Sequence, residues 1–98
     1  MIVYEVDAKV RHDLSAEFER YMIETHIPDL MATGYFQTAS FDSDGAGRYR
    51  IRYFAKTREE LEKYLAEEAP RLREDVAVHF PDGLELSRQE WIVLKHFA

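Results

Sequence analysis

Residues 35–57 read YFQTASFDSDGAGRYRIRYFAKT, and their alternation decides the fold. At the centre, Asp44-Gly45 sits inside DSDGAG. Such a pair marks a hairpin, because the turns that match strand twist need backbone with positive φ. After the turn, Tyr49, Ile51, Tyr53 and Ala55 share one face of a strand, and Arg48, Arg50, Arg52 and Phe54 share the other. Before it, residues 35–41 form a partner strand with Phe36, Thr38 and Ser40 on that second face. Thr57 and Glu60 then spell a capping box, so a helix follows the hairpin directly.

Similar patterns flank this hairpin. Residues 2–10 alternate, with Ile2, Tyr4, Val6, Ala8 and Val10 on one face and Val3, Glu5, Asp7 and Lys9 on the other. Asp13 or Ser15 is placed to cap a helix carrying Leu14, Phe18, Tyr21, Met22 and Thr25 at helical spacing. Pro28 removes a backbone donor and should kink or restart it; Gly34 stops it. The second helix carries Leu61, Tyr64 and Leu65, meets Pro70, and continues through Leu72 and Val76. Pro81-Asp82-Gly83 is a turn, and a last strand runs from about Leu84 to Leu94. Its alternation breaks at Arg88 and Glu90, which predicts a bulge near residues 87–90.

The element order is β-α-β-β-α-β, and the two halves echo one another. Phe18-Glu19-Arg20-Tyr21-Met22 matches Leu61-Glu62-Lys63-Tyr64-Leu65 in residue type, and each helix then meets a proline followed two residues later by leucine. A doubled split β-α-β unit is the ferredoxin-like α+β arrangement: a four-stranded antiparallel sheet with two helices on one face. The 98 residues make one such domain, 1–98.

Composition removes several classes of function. Apolar residues are 46% and charged residues 33%, as in a globular chain. Thirteen Lys+Arg against nineteen Asp+Glu give a net charge of -6, the wrong sign for holding a nucleic-acid backbone. There are no cysteines, so neither disulfides nor thiolate metal sites are available. No apolar run reaches the ~18 residues of a membrane helix. The charged start MIVYEVDAKV is no secretory signal, and the expected location is cytoplasmic.

Thirteen per cent of the chain is aromatic, more bulk than one thin core requires. On the sheet face away from the helices, Glu5 and Asp7 should lie near Arg50 and Arg52, and Phe36, Phe54 and Trp91 should stand beside them. Such a face is either solvated or packed against a second copy, with those three aromatics as contacts. Exposed aromatic patches mark contact sites and twofold dimers are the commonest oligomers, so a homodimer is expected.

The opening MIVYEV, the stretch Glu24-Thr25-His26-Ile27-Pro28 running on to Ala32-Thr33-Gly34, and Tyr64-Leu65 through Ala69-Pro70-Arg71-Leu72-Arg73 resemble a bacterial domain-of-unknown-function family of about a hundred residues. The resemblance covers nearly the whole chain. The wider set is similar to the dimeric α+β barrel superfamily, which includes cofactor-free monooxygenases and muconolactone isomerases. It implies a homodimer but carries over no activity, since no catalytic set from those enzymes matches here residue by residue.

Among candidate chemical groups, His26 stands out. It precedes Pro28, where backbone carbonyls are freed, and could serve as a general base or simply bond one of those carbonyls. Tyr4, Tyr49 and Tyr53 could line a ligand cleft between sheet and helices, or only fill the core. His12, His79 and His96 lack metal-ligand spacing, and Asp42-Ser43-Asp44-Gly45 lacks the later ligands of a calcium loop, so no metal is expected. No phosphate-binding or dinucleotide motif is present, so no cofactor is expected. Three readings remain: a small homodimer that binds a small apolar or aromatic molecule, a cofactor-free monooxygenase or isomerase with His26 as base, or an adaptor, monomeric alone, that pairs with another chain through its sheet edge. A cleft of roughly 300 Å³ or more would favour the enzyme, and a filled core the binder.

Overall fold

The one-sided strand at the start of the chain forms the spine of the sheet. In the computed structural model, which describes residues 1–98, β1 (Ile2–Val10) lies between β3 (Arg48–Ala55) and β4 (Leu84–Ile92), with β2 (Thr38–Ser43) beyond β3. All neighbours are antiparallel, in the order β2-β3-β1-β4. The pairs Glu5↔Arg52 and Asp7↔Arg50 occur as the charge pattern requires. In the hairpin turn, the Asp44 carboxylate accepts from the Ala46 and Arg48 amides at 2.7 and 3.1 Å, and Gly45 and Gly47 supply positive φ.

The helical layer is six short pieces. The first crossover has a 3-10 turn (His12–Leu14), α1 (Ser15–Tyr21), a π turn (Met22–His26) and α2 (Ile27–Met31). Neither Asp13 nor Ser15 caps it; Asp13 is held by Arg11 at 2.7 Å instead. Pro28 causes the interruption. In an unbroken α-helix its ring would meet the carbonyl of Glu24 and its missing N–H would leave a gap. The backbone widens, the Ile27 amide reaches back five residues to the Met22 carbonyl, and Pro28 falls in the first turn of α2, where proline is tolerated. The second crossover repeats the device with α3 (Arg58–Glu67) and α4 (Ala69–His79), and Pro70 opens α4. The Glu60 amide donates to Thr57 Oγ1 at 3.2 Å, one half of the expected capping box.

Helices and sheet close on a core whose largest fully buried side chains are Tyr53, Phe18, Leu30, Ile51, Leu61 and Leu72. Gly83 joins the far end of this layer. Its φ is +86°, a backbone conformation strained for residues with a Cβ, so the turn before β4 favours glycine.

Two expectations about the strands fail. Residues 35–37 are not part of β2. The Gln37 amide bonds the Phe54 carbonyl at 2.8 Å, but Phe36 turns into the core against Tyr4, Tyr53 and Tyr64. Phe36 therefore does not belong to the open sheet face. The bulge near residues 87–90 is also absent: the register runs unbroken from Ile2↔Ile92 to Val10↔Leu84. Arg88 and Glu90 stay on the same side as Leu84, Leu86 and Ile92. The helices do not reach that edge of the sheet, so charged side chains there keep their solvent and nothing forces the strand to re-aim them.

Truncating Leu61 to alanine should cost about 2–5 kcal/mol, because it leaves a void in the sealed core. Truncating Val78, which is 71% exposed, should change stability by no more than about 0.5 kcal/mol. Urea unfolding checks both, and similar losses at the two positions would contradict this packing.

Candidate functional site

The helices cover β1 and β3 but leave β4 bare. Leu86 is 37% exposed and Ile92 64%, although both lie on the helix side of the sheet. Beside this uncovered edge a partly open cleft of about 40 Å³ lies between sheet and helices. Tyr4 and Val6 of β1, Ile51 and Tyr53 of β3, and Leu86 and Arg88 of β4 form its floor. Phe18, Met22, His26 and Leu30 of the first crossover, with Tyr64, Leu72, Arg73 and Val76 of the second, form its roof.

His26 reaches this cleft from the π turn, beside the Tyr21 ring at 6.0 Å between centroids. Its Nδ1 is buried and has no hydrogen-bond partner. Burial lowers its pKa below the ordinary histidine value, more than Asp29 and Asp75 raise it, so the ring is neutral at pH 7. A neutral imidazole offers one donor and one acceptor nitrogen.

Three tyrosines pack next to one another on the other side. Tyr4 lies 6.0 Å from Tyr53 and 5.9 Å from Tyr64, ring centre to ring centre. Burial pushes the Tyr53 and Tyr64 hydroxyls well above the ordinary tyrosine range, so both remain protonated. The Tyr4 hydroxyl accepts a hydrogen bond from Arg73 Nη2 at 3.1 Å.

Of the residues singled out from sequence, His26, Tyr4 and Tyr53 line one cleft. Tyr49 does not. It is core, 5.1 Å from the Phe18 ring, and its hydroxyl donates to Glu19 at 2.6 Å. The missed lining residues are Tyr64, Arg73 and Arg88. Tyr64 could have been found from the internal repeat, which sets it in the place that Tyr21 holds beside His26. Arg88 was hidden by the expected bulge, and only the fold brings Arg73 to the same opening.

On the opposite face, Phe54 and Trp91 stand at Val3, and Trp91 is 54% exposed. The register pairs the charges as expected, but the hydrogen bonds differ. The Gln89 amide donates to both Glu5 and Asp7, the latter at 2.7 Å, while Arg50 turns to Asp42 at 3.3 Å. The Arg52 guanidinium lies 5.8 Å from the Phe54 ring, and its Nε and the Ser40 hydroxyl are buried without partners. Burial, followed by the neighbouring Glu5 charge, pushes the Asp7 carboxyl up. No three His, Asp or Glu side chains cluster to hold a metal ion. No helix is long and apolar enough to cross a membrane.

The ferredoxin-like fold is shared with several solved proteins. The heme-degrader MhuD from Mycobacterium tuberculosis, whose structure has two hemes in its active site, is 13% identical over the whole of both chains, with a TM-score of 0.74. A protein of antibiotic biosynthesis monooxygenase type from Deinococcus radiodurans is 12% identical over 100% of this chain and 97% of its own, with a TM-score of 0.68. A dimeric ferredoxin-like protein from an uncultured marine organism is 10% identical over 100% of this chain and 99% of its own, with a TM-score of 0.67. At such identities the likeness is one of fold. None of the curated proteins matches the sequence. The sequence family is nonetheless clear: residues 1–92 match the model of DUF4286, a domain of unknown function, and the chain belongs to that family.

Proposed function

We propose that this chain acts as a cytoplasmic homodimer that holds a small apolar or aromatic molecule in the cleft between its helices and β4. The observation that carries this reading is the buried, unpartnered Nδ1 of His26 in a cleft with largely apolar walls. Leaving such an atom unpaired costs about 1–3 kcal/mol, and a ligand group or a trapped water would recover that. Tyr4, Tyr53 and Tyr64 supply aromatic surface beside it.

Size selects among ligands. MhuD, of the same fold, holds two hemes in its active site. The cleft here, about 40 Å³, has room for only a few waters or one small group. A ligand would place that group inside and lay the rest of its body along Leu86 on the uncovered edge. The same size weighs against His26 as the base of a monooxygenase or isomerase. A substrate would need to sit within hydrogen-bond reach of the ring, and complete ligand sites are typically about 300–1,000 Å³.

The homodimer rests on the other face. Val3, Phe54 and Trp91 form an apolar patch next to the unpartnered Arg52 Nε and Ser40 hydroxyl. A second copy packed sheet to sheet would cover the patch and could pair both atoms. The absence of cysteine suits a reducing compartment.

Titration with indole, followed by NMR, should perturb His26, Tyr64 and Leu86 together; shifts confined to the open sheet face would overturn the cleft reading. In sedimentation equilibrium the chain should be a dimer, and Trp91→Ala should weaken association by about 2 kcal/mol or more. A monomer at high concentration would remove the interface. His26 also gives a pH signature. Unfolded, it protonates near 6.5; folded, only at lower pH. As pH falls below about 6.5 the unfolded chain binds more protons, so stability should drop more in the wild type than in His26→Gln. Urea unfolding at pH 8, 6 and 5 measures the difference, and a constant gap between the two proteins would contradict a neutral buried ring.

A further inference from the structure

We infer that the cleft is built for a carboxylate: its ligand is a small aromatic or aliphatic acid whose anionic head meets Arg73 and Arg88 while its apolar body lies against Leu86 and the tyrosines. This rests on the cleft reading above and adds the ligand's charge to it. Arg73 comes from α4 and Arg88 from β4, so the two guanidinium groups enter from the roof and the floor of the same cleft. Both residues are exposed, and neither makes an ion pair.

What sets these two apart is their place: they line one cleft whose lining contains no Asp or Glu, in a chain with nineteen acidic residues and thirteen basic ones. Some acids elsewhere in the molecule are held by cations. Arg11 takes Asp13 and Asp82, Arg50 takes Asp42, and Arg58 takes Glu90 at 2.9 Å. The two acids that act on His26, Asp29 and Asp75, are engaged by Arg71 at 3.1 and 3.8 Å. Glu5 and Asp7 lie on the opposite face of the sheet, held by Gln89. The cleft therefore keeps two cations and admits no carboxylate of its own.

The donors also suit a carboxylate in kind. Guanidinium groups bind carboxylates through paired, charge-assisted hydrogen bonds. Arg73 already donates to the Tyr4 hydroxyl, which leaves that hydroxyl's own proton free for a ligand oxygen. The net charge of -6 repels anions at a distance, so an acid would be held only where local cations outweigh that field. Apolar walls beside the two arginines favour an acid with a hydrophobic body over a bare inorganic anion.

The test is isothermal titration of the full chain with three acid–amide pairs: phenylacetate, indole-3-acetate and octanoate, each against its neutral amide. Inorganic phosphate serves as the anion without an apolar body. At least one acid should bind about tenfold or more tightly than its amide. Arg73→Gln and Arg88→Gln should each weaken the acid more than the amide and so reduce that ratio, with lysine at either position restoring part of it. Circular dichroism melting checks that each variant is folded, and both sites are exposed enough to tolerate the change. Acid and amide binding equally would overturn this inference and leave the apolar cleft standing. A ratio untouched by either substitution, or phosphate binding as tightly as the acids, would also overturn it. If neither acids nor amides bind, the cleft reading falls as well.

Discussion

Four strands present more sheet than two short crossovers can cover, and most of this molecule follows from that mismatch. The helices sit over β1 and β3, where Tyr4, Ile51 and Tyr53 are sealed. β4 receives no roof. Its helix-side row of Leu86, Arg88, Glu90 and Ile92 meets solvent, and the gap between that row and the helices becomes the cleft. Burial of apolar surface stabilises the chain by roughly 25 cal/mol per Å². An exposed Leu86 and Ile92 therefore represent stabilisation given up at the edge of the sheet. The same gap gives Arg88 and Arg73 access both to water and to an apolar interior.

The proline in each crossover shapes that gap. Pro70 opens α4 cleanly, because Glu67 ends α3 and the chain restarts with the proline in the first turn. Pro28 acts differently. No break in the chain precedes it, so the helix widens into a π turn instead. Met22 and His26, four residues apart and so on one face of the helical segment, both line the cleft. A titratable side chain thus lies against an apolar wall.

Much of the architecture was legible from residue pattern. The alternation of residues 2–10 and 48–55, the Asp44-Gly45 turn and the two prolines account for element order, sheet pairing and helix breaks. The failures have physical causes. Phe36 shares its parity with Thr38, but parity holds only inside a strand, and residues 35–37 approach the sheet as a loop that lets the ring turn inward. Arg88 and Glu90 suggested a bulge because charge on the helix side of a strand looks like an error. At an uncovered edge it is none. The site was half legible: His26, Tyr4 and Tyr53 stood out by residue type, while Tyr49 shared their alternation and belongs to the core beside Glu19. Arg73 is fifteen residues from Arg88 in sequence, and only the antiparallel return of β4 beside β1 brings the two together.

The unpartnered polar atoms divide the molecule into two questions. On the open sheet face, Arg52 Nε and the Ser40 hydroxyl lie next to Phe54, and Glu5 is buried beneath Gln89. In the cleft, His26 Nδ1 lies among aromatic rings. Everywhere else, buried side-chain polar groups are paired, as in folded proteins generally. One exception lies on the open sheet face, and the other lies beneath the crossovers beside the uncovered β4 edge. The open face carries paired opposite charges and is edged by Trp91, which suits another protein surface of the same kind. The cleft is narrow, has a volume of about 40 Å³ and has cations only at its mouth, which suits a small molecule. The two faces are separated by the thickness of one sheet and share β1 and β4. Side chains alternate along those strands, so Glu5, Asp7 and Trp91 serve one face while Tyr4, Leu86 and Arg88 serve the other. A change confined to one parity should therefore leave the opposite surface intact.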